Sequence, residues 1–189
     1  MRKVTIGAVQ MQCSNNSEDN LKKAEALVRK AAVEGANIIL LPELFQYPYF
    51  CQERRYKYYA YATPTNENTA VRRFQKLAKE IGVVLPISFF EKDENQLFNS
   101  VAVIDADGSI LGVYRKIHIP DDHFYQEKFY FKPGNRGFRV WETAFGRIGI
   151  GICWDQWFPE TARSLTQNGA EILFFPTAIG SEPILECDS

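Results

Sequence analysis

The sequence is poor in the residues that clamp metals or staple small folds. It has two histidines and four cysteines, and Cys13, Cys51, Cys153 and Cys187 are scattered without a CxxC pair, which removes the usual zinc and redox-pair frameworks. His118 and His123 stand at His-x4-His spacing around Asp121 and Asp122. That pattern fits no strong zinc site, and no metal or other cofactor is expected. Unpaired thiols point to a reducing compartment and a cytoplasmic protein. Charge of one sign is also lacking. Lys and Arg number 22 against 23 Asp and Glu, a net charge of −1, which gives no reason to expect nucleic acid as a partner. No apolar run is long enough to cross a bilayer, and no apolar h-region follows the N-terminus Met1-Arg-Lys-Val-Thr-Ile-Gly7. Neither a membrane partner nor a targeting segment is therefore expected. A small ligand fits these bounds best.

What is present is a core. With 46% hydrophobic and 14% aromatic residues, the 189-residue chain suits one globular domain over residues 1–189. Lys3 to Gln12 reads as a strand. Ser17 to Glu34 reads as an amphipathic helix, with Leu21, Ala24, Leu27, Val28 and Ala31 on one face, Ser17 as its N-cap and Gly35 as its stop. Ala36 to Pro42 is apolar as a doubly buried strand should be. A second helix is expected over Glu67 to Ile81, then a strand from Val83 to Phe90. Asp105-Ala-Asp-Gly108 signals a hairpin between strands Ser100–Ile104 and Ile110–Tyr114. From Ile117 to Arg136 the pattern fails, which predicts a long functional loop with one short helical turn. Strands then follow around Phe138–Trp141, Arg147–Ile152 and Ala170–Phe175, with a helix from Pro159 to Gln167 before the last. The alternation is α/β, with mixed strand pairing because of the hairpin.

Chemistry concentrates at strand ends, where ligands gather in open α/β sheets. Glu43, Lys116 and Cys153 each follow a strand-like run. Cys153 precedes Trp154-Asp-Gln-Trp-Phe-Pro-Glu160, where a helix is expected to start. Helix-end N–H groups there would favour its thiolate. Singly, these residues read better as a surface carboxylate, a solvated lysine and a core thiol. Together they supply what hydrolysis of an unactivated amide requires: a nucleophile, a base for its proton, and a cation for the developing oxyanion.

Leu40-Leu-Pro-Glu-Leu-Phe45, Tyr114-Arg-Lys-Ile-His118 and Gly149-Ile-Gly-Ile-Cys-Trp-Asp155 closely resemble, in order and spacing, the three motif blocks of the nitrilase, or carbon–nitrogen hydrolase, superfamily. The resemblance runs from Gly7-Ala-Val-Gln10 to Ala178-Ile-Gly-Ser-Glu-Pro183. It implies a Glu43-Lys116-Cys153 triad and an αββα sandwich, a mixed β-sheet fold with flanking helices. It also implies a homo-oligomer and a chain that lacks the C-terminal third of the domain. Cys153 to Glu160, Gln126-Glu-Lys-Phe-Tyr-Phe131 and Phe175 to Pro183 are similar to members that act on N-carbamoylputrescine. In those terms Glu127 is a further active-site glutamate that positions Lys116 and substrate. Asp121-Asp-His-Phe124 stands where a Gly/Pro-richer turn is usual, a departure at the pocket lip.

Charge separates the substrates. No arginine follows Cys153 until Arg163, so an anionic tail is not provided for, whereas a carbamoylated amine calls for carboxylates and aromatic faces. Glu182, Asp155, Asp122, Tyr49 and Tyr125 are available, with Glu182 and Tyr125 the preferred pair on the resemblance and Trp154 contributing its N–H to the oxyanion. The expected reaction converts N-carbamoylputrescine and water to putrescine, carbon dioxide and ammonia through a Cys153 thioester. The alternatives are another amidase or carbamoyl-amino-acid hydrolase of the same superfamily, and a truncated, non-catalytic interaction or structural subunit.

Overall fold

The structure, a computed structural model, describes residues 3–180. Strand β1 (Ile6–Ala8) leads to helix α1 (Ser17–Val33) and strand β2 (Ile38–Leu40), which pairs parallel to β1 with Ile6 opposite Ile38. Asn16, not Ser17, caps α1: its side chain accepts from the N–H groups of Glu18 and Asp19. Helix α2 (Thr69–Ile81) is capped by Asn68, whose side chain accepts from the Val71 N–H at 3.1 Å, and ends at Gly82 in the left-handed region, φ 67°. Such a backbone favours glycine because it has no Cβ.

Strands β3 (Leu85–Asp93), β4 (Gln96–Ile104) and β5 (Ile110–Arg115) form an antiparallel meander. Backbone bonds carry β2 onto its edge, Ile39 N–H to Val84 O at 3.0 Å and Val84 N–H to Asn37 O at 2.9 Å. A second sheet pairs β6 (Val140–Thr143) antiparallel to β7 (Gly146–Ile150), and β7 parallel to β8 (Ile172–Phe174), with helix α3 (Pro159–Gln167) between them in sequence.

The alternation of side chains along the strands makes the layers. On β4, Ala102 and Ile104 join the cluster under α1 and α2, with Leu21, Val28, Phe74 and Leu77. Val101 and Val103 point the other way, into a second cluster with Trp141, Ile148, Ile150 and Phe174 of the second sheet. Gly149, between the inward Ile148 and Ile150, lets α3 approach: a Cβ there would lie 3.1 Å from Leu165. The order is helices, sheet, sheet, helix, the expected αββα sandwich. Among the described residues no helix is long and apolar enough to cross a membrane.

Element types follow the sequence pattern, but several extents differ, those of β1 and β4 among them. Of Lys3–Gln12 only Ile6–Ala8 pair, because β2 offers three residues to pair with. β4 begins at Gln96 rather than Ser100, after a two-residue turn at Glu94-Asn95 in which Glu94 has φ 53°. That hairpin lacks glycine, so the usual turn signal was missing. The segment between β5 and β6 carries one helical turn, Glu127–Phe129, and sends Ile119, Tyr130 and Phe131 into an aromatic cluster with Phe50 and Phe90.

Gly134 in this segment locks the end of β5. Its N–H donates to Lys116 O at 2.7 Å, and a Cβ on it would fall 2.1 Å from Arg115 O. Gly134→Ala is therefore expected to displace the β5 end and lower stability by about 1–3 kcal/mol, read as a lower urea midpoint at unchanged slope.

Candidate active site

β2 and β5 both run parallel to β3, so their carboxyl ends emerge on one edge. Glu43 follows β2 and Lys116 follows β5; their side chains meet at 3.0 Å, both fully buried. Glu127, on the helical turn of the long loop, approaches the same Lys116 Nζ with both oxygens, at 2.7 and 2.8 Å. Lys116 is thus enclosed by two carboxylates and no water-facing surface.

Each carboxylate has further donors. Glu43 Oε1 accepts from Asn99 Nδ2 at 2.7 Å, and its Oε2 from the Ala178 N–H at 3.0 Å. Glu127 Oε1 accepts from the Tyr49 hydroxyl at 2.6 Å. Tyr49, expected to contact substrate, stands behind Glu127 rather than on the cleft wall.

Burial and charge compete here. Burial works against the Lys116 ammonium, yet Glu43 and Glu127 outweigh it and hold its proton above the ordinary lysine range. Glu127 is pushed up to about 7, chiefly by burial and also by the charge of Glu43, with Lys116 pulling it down.

Cys153 follows β7 and is 5% exposed. Its backbone sits in the left-handed region at φ 44°, and its N–H donates to Pro176 O at 3.0 Å. The expected helix-end stabilisation of a thiolate does not hold. The segment Cys153–Trp157 is a single 3₁₀ turn, and α3 starts only at Pro159, so few aligned peptide dipoles act at the sulfur. Burial, followed by the charge of Glu43, pushes the thiol up to about 12, against a smaller opposing pull from Lys116. The same groups appear together in its electrostatic surroundings: Glu43, Lys116 and Glu127.

A cleft of about 460 Å³ opens onto Cys153. Its walls are Trp154, Trp157 and Tyr125, with Pro120 and Ile179, and its charged lining consists of Asp121 and Asp122. Asp121 is paired with Arg54 at 3.2 Å, whereas Asp122 accepts from the His123 N–H at 2.7 Å. Trp154 and Tyr125 thus line the cleft. Asp155 does not: it is fully buried and bonded to Tyr114 and His118. Glu182 lies outside the described residues. Sequence reasoning missed Asn99 and the Ala178 N–H as partners of Glu43. The one available sign was a polar pair, Asn99-Ser100, flanked by the apolar Leu97-Phe98 and Val101 to Ile104.

The sequence matches the family described as carbon-nitrogen hydrolase over residues 5–184. This chain belongs to the carbon-nitrogen hydrolase family. It is 56% identical to an N-carbamoylputrescine amidase of Arabidopsis thaliana over 96% of this chain and 61% of that protein. It is 52% identical to a citrullinase of Francisella tularensis subsp. tularensis over 98% of this chain and 65% of that protein. Among solved structures, a carbon-nitrogen hydrolase from Helicobacter pylori G27 superposes with a TM-score of 0.89 at 40% identity, covering 98% of this chain and 63% of that one. The chain therefore spans about 60% of the length of curated carbon-nitrogen hydrolases such as the Arabidopsis protein.

The raised thiol makes a measurable prediction for this member of the carbon-nitrogen hydrolase family. A thiol at about 12 is neutral throughout the working range, and alkylation needs the thiolate. Iodoacetamide labelling of Cys153, followed by peptide mass spectrometry, should accelerate about tenfold per pH unit between about pH 7 and 10 without levelling off. A plateau near pH 9 would mark an ordinary thiol.

Proposed function

We propose that this chain carries the catalytic residues of an amidohydrolase acting on carbamoylated amines, with N-carbamoylputrescine as substrate. The observation that supports it most directly is Lys116 held between Glu43 and Glu127 beside Cys153, at a cleft whose charged lining is two aspartates.

A thiol that is not ionised beforehand must lose its proton as it attacks. In this reading Glu43 takes that proton while the sulfur of Cys153 bonds to the carbamoyl carbon. Lys116 and the Trp154 N–H face the oxyanion that forms. Ammonia leaves with the proton returned from Glu43, giving the carbamoyl thioester. Water then gives a proton to Glu43 and adds to the thioester carbon, with Glu127 orienting Lys116 and the substrate. The thiol is restored, and the released carbamic acid breaks down to carbon dioxide and the free amine. The sum is carbamoylated amine plus water giving amine, carbon dioxide and ammonia. All protons move between Cys153, Glu43, water and substrate, so the scheme calls for no cofactor.

The far end of the substrate meets Asp122 and the rings of Tyr125, Trp154 and Trp157. A cationic amine is favoured by both, through charge and through the aromatic faces. The similarity to a citrullinase raises citrulline as a second substrate, since it carries the same ureido group. Its additional carboxylate would meet Asp121 and Asp122, and the described cleft lining holds no lysine or arginine to receive it.

Ammonia release from N-carbamoylputrescine, citrulline and N-carbamoyl-β-alanine, measured on this chain and on a full-length version, tests the assignment. The order of kcat/KM should follow that order of naming. Cys153→Ala should abolish release, and Asp122→Asn should raise KM for N-carbamoylputrescine about tenfold, roughly one solvent-screened charge contact. Preference for citrulline, or full turnover by Cys153→Ala, would sink it.

A further inference from the structure

The residue two positions beyond Cys153 is bonded to residues on either side of Lys116. Asp155 is fully buried. Its Oδ2 accepts from the Tyr114 hydroxyl at 2.7 Å and from the Ile152 N–H at 2.8 Å. Its Oδ1 accepts from the His118 N–H at 3.0 Å and lies 2.7 Å from His118 Nδ1. Tyr114 and His118 are the residues two before and two after Lys116. One carboxylate therefore joins the segment carrying the lysine to the turn carrying the cysteine.

The joint is under load. Cys153 occupies a left-handed conformation, φ 44°, which is strained for a residue with a side chain and persists only where its surroundings impose it. The bond from Ile152 N–H to Asp155 closes the turn on one side, and that from Cys153 N–H to Pro176 O closes it on the other. With a hydroxyl and two amide N–H groups donating to it, Asp155 is an acceptor, so His118 carries its hydrogen on Nδ1. Burial and the charge of Asp155 keep the Tyr114 hydroxyl protonated, above the ordinary tyrosine range. The His118 ring is fixed in turn by stacking on Phe158, with centroids 3.7 Å apart and planes 6° apart. Phe158 meets Trp154 of the cleft wall edge-on at 5.1 Å.

We propose that Asp155 is a positioning residue: through Tyr114 and His118 it holds the strained Cys153 turn in register with Lys116, so that the thiol attacks where Lys116 can meet the oxyanion. This rests on the reading of Cys153 as nucleophile. Asp155 touches neither substrate nor reacting atoms, and its effect belongs in kcat rather than in binding. Releasing the turn has an opposite effect on simple reactivity. Burial is the largest cause of the raised thiol, so a loosened Cys153 becomes easier to alkylate while it becomes a poorer catalyst.

The test compares Tyr114→Phe, His118→Leu, His118→Asn and Asp155→Asn with the parent protein. Two quantities are read: turnover of N-carbamoylputrescine, and iodoacetamide labelling of Cys153 at a fixed pH and a temperature well below the unfolding transition. Tyr114→Phe and His118→Leu should lower kcat about tenfold or more at nearly unchanged KM and speed labelling several-fold. His118→Asn, whose amide can donate near the place of Nδ1, should recover most of both changes. If Asp155→Asn fails to fold, the Tyr114 and His118 variants still decide. Parent-like kcat and labelling in Tyr114→Phe and His118→Leu would overturn the proposal, as would a rise in KM alone. A parent that does not turn over N-carbamoylputrescine counts against the substrate reading. Labelling needs no substrate, so in that case unchanged labelling overturns the positioning role and faster labelling supports it.

Discussion

A lysine ammonium with no access to water, held between two carboxylates, is the constraint on which the rest of this structure depends. Removing Lys116 from water is costly, and Glu43 and Glu127 offset that cost only because each lies within 3.0 Å. Each carboxylate then needs its own donors. Asn99, the Ala178 N–H and Tyr49 meet that need, and they bring β4, the segment after β8, and the loop after β2 to one point. Removing any member of such a set leaves a buried charge without its partner, which is typically worse than never having buried the pair. The layers of the sandwich are arranged around that requirement as much as around the apolar clusters.

The same arrangement decides the character of the Cys153 thiol. Two carboxylates and one ammonium give the site more negative than positive charge when all are ionised, and burial removes the screening that water would provide. Burial, with the charge of Glu43 adding to it, pushes Glu127 up to about 7 and the Cys153 thiol to about 12. A site of this kind gains nothing from a resting thiolate. In the proposed reaction it calls for a base that acts during the attack, the role given there to Glu43. The cleft continues the pattern outward, with two aspartates at its lip and aromatic walls, the features on which the proposed cationic tail rests.

Much of this was legible in the chain. Apolar periodicity located α1, because an amphipathic stripe repeats every three to four residues whatever the tertiary contacts. The three chemical residues were visible as polar interruptions at the ends of apolar runs. Less legible were the start of β4, whose glycine-free turn gave no signal, and the partners of Glu43, which lie 56 and 135 residues away in sequence. The nature of the thiol was misread, because a one-turn 3₁₀ segment and an α-helix N-terminus look alike in sequence but differ in how many peptide dipoles they align.

Sequence alone determined the residue types, their order, and their places at the ends of strands, because these depend on local periodicity and on motif spacing. Tertiary structure decided which atoms meet. It placed Tyr49 behind Glu127, took Asp155 out of the cleft and into a bond network with Tyr114 and His118, and left Asp122 at the rim. The physical reason is that burial and the proximity of charges are long-range properties of the fold. They fix whether a carboxylate holds a proton, steadies a turn or faces a ligand, and no single stretch of chain contains that information.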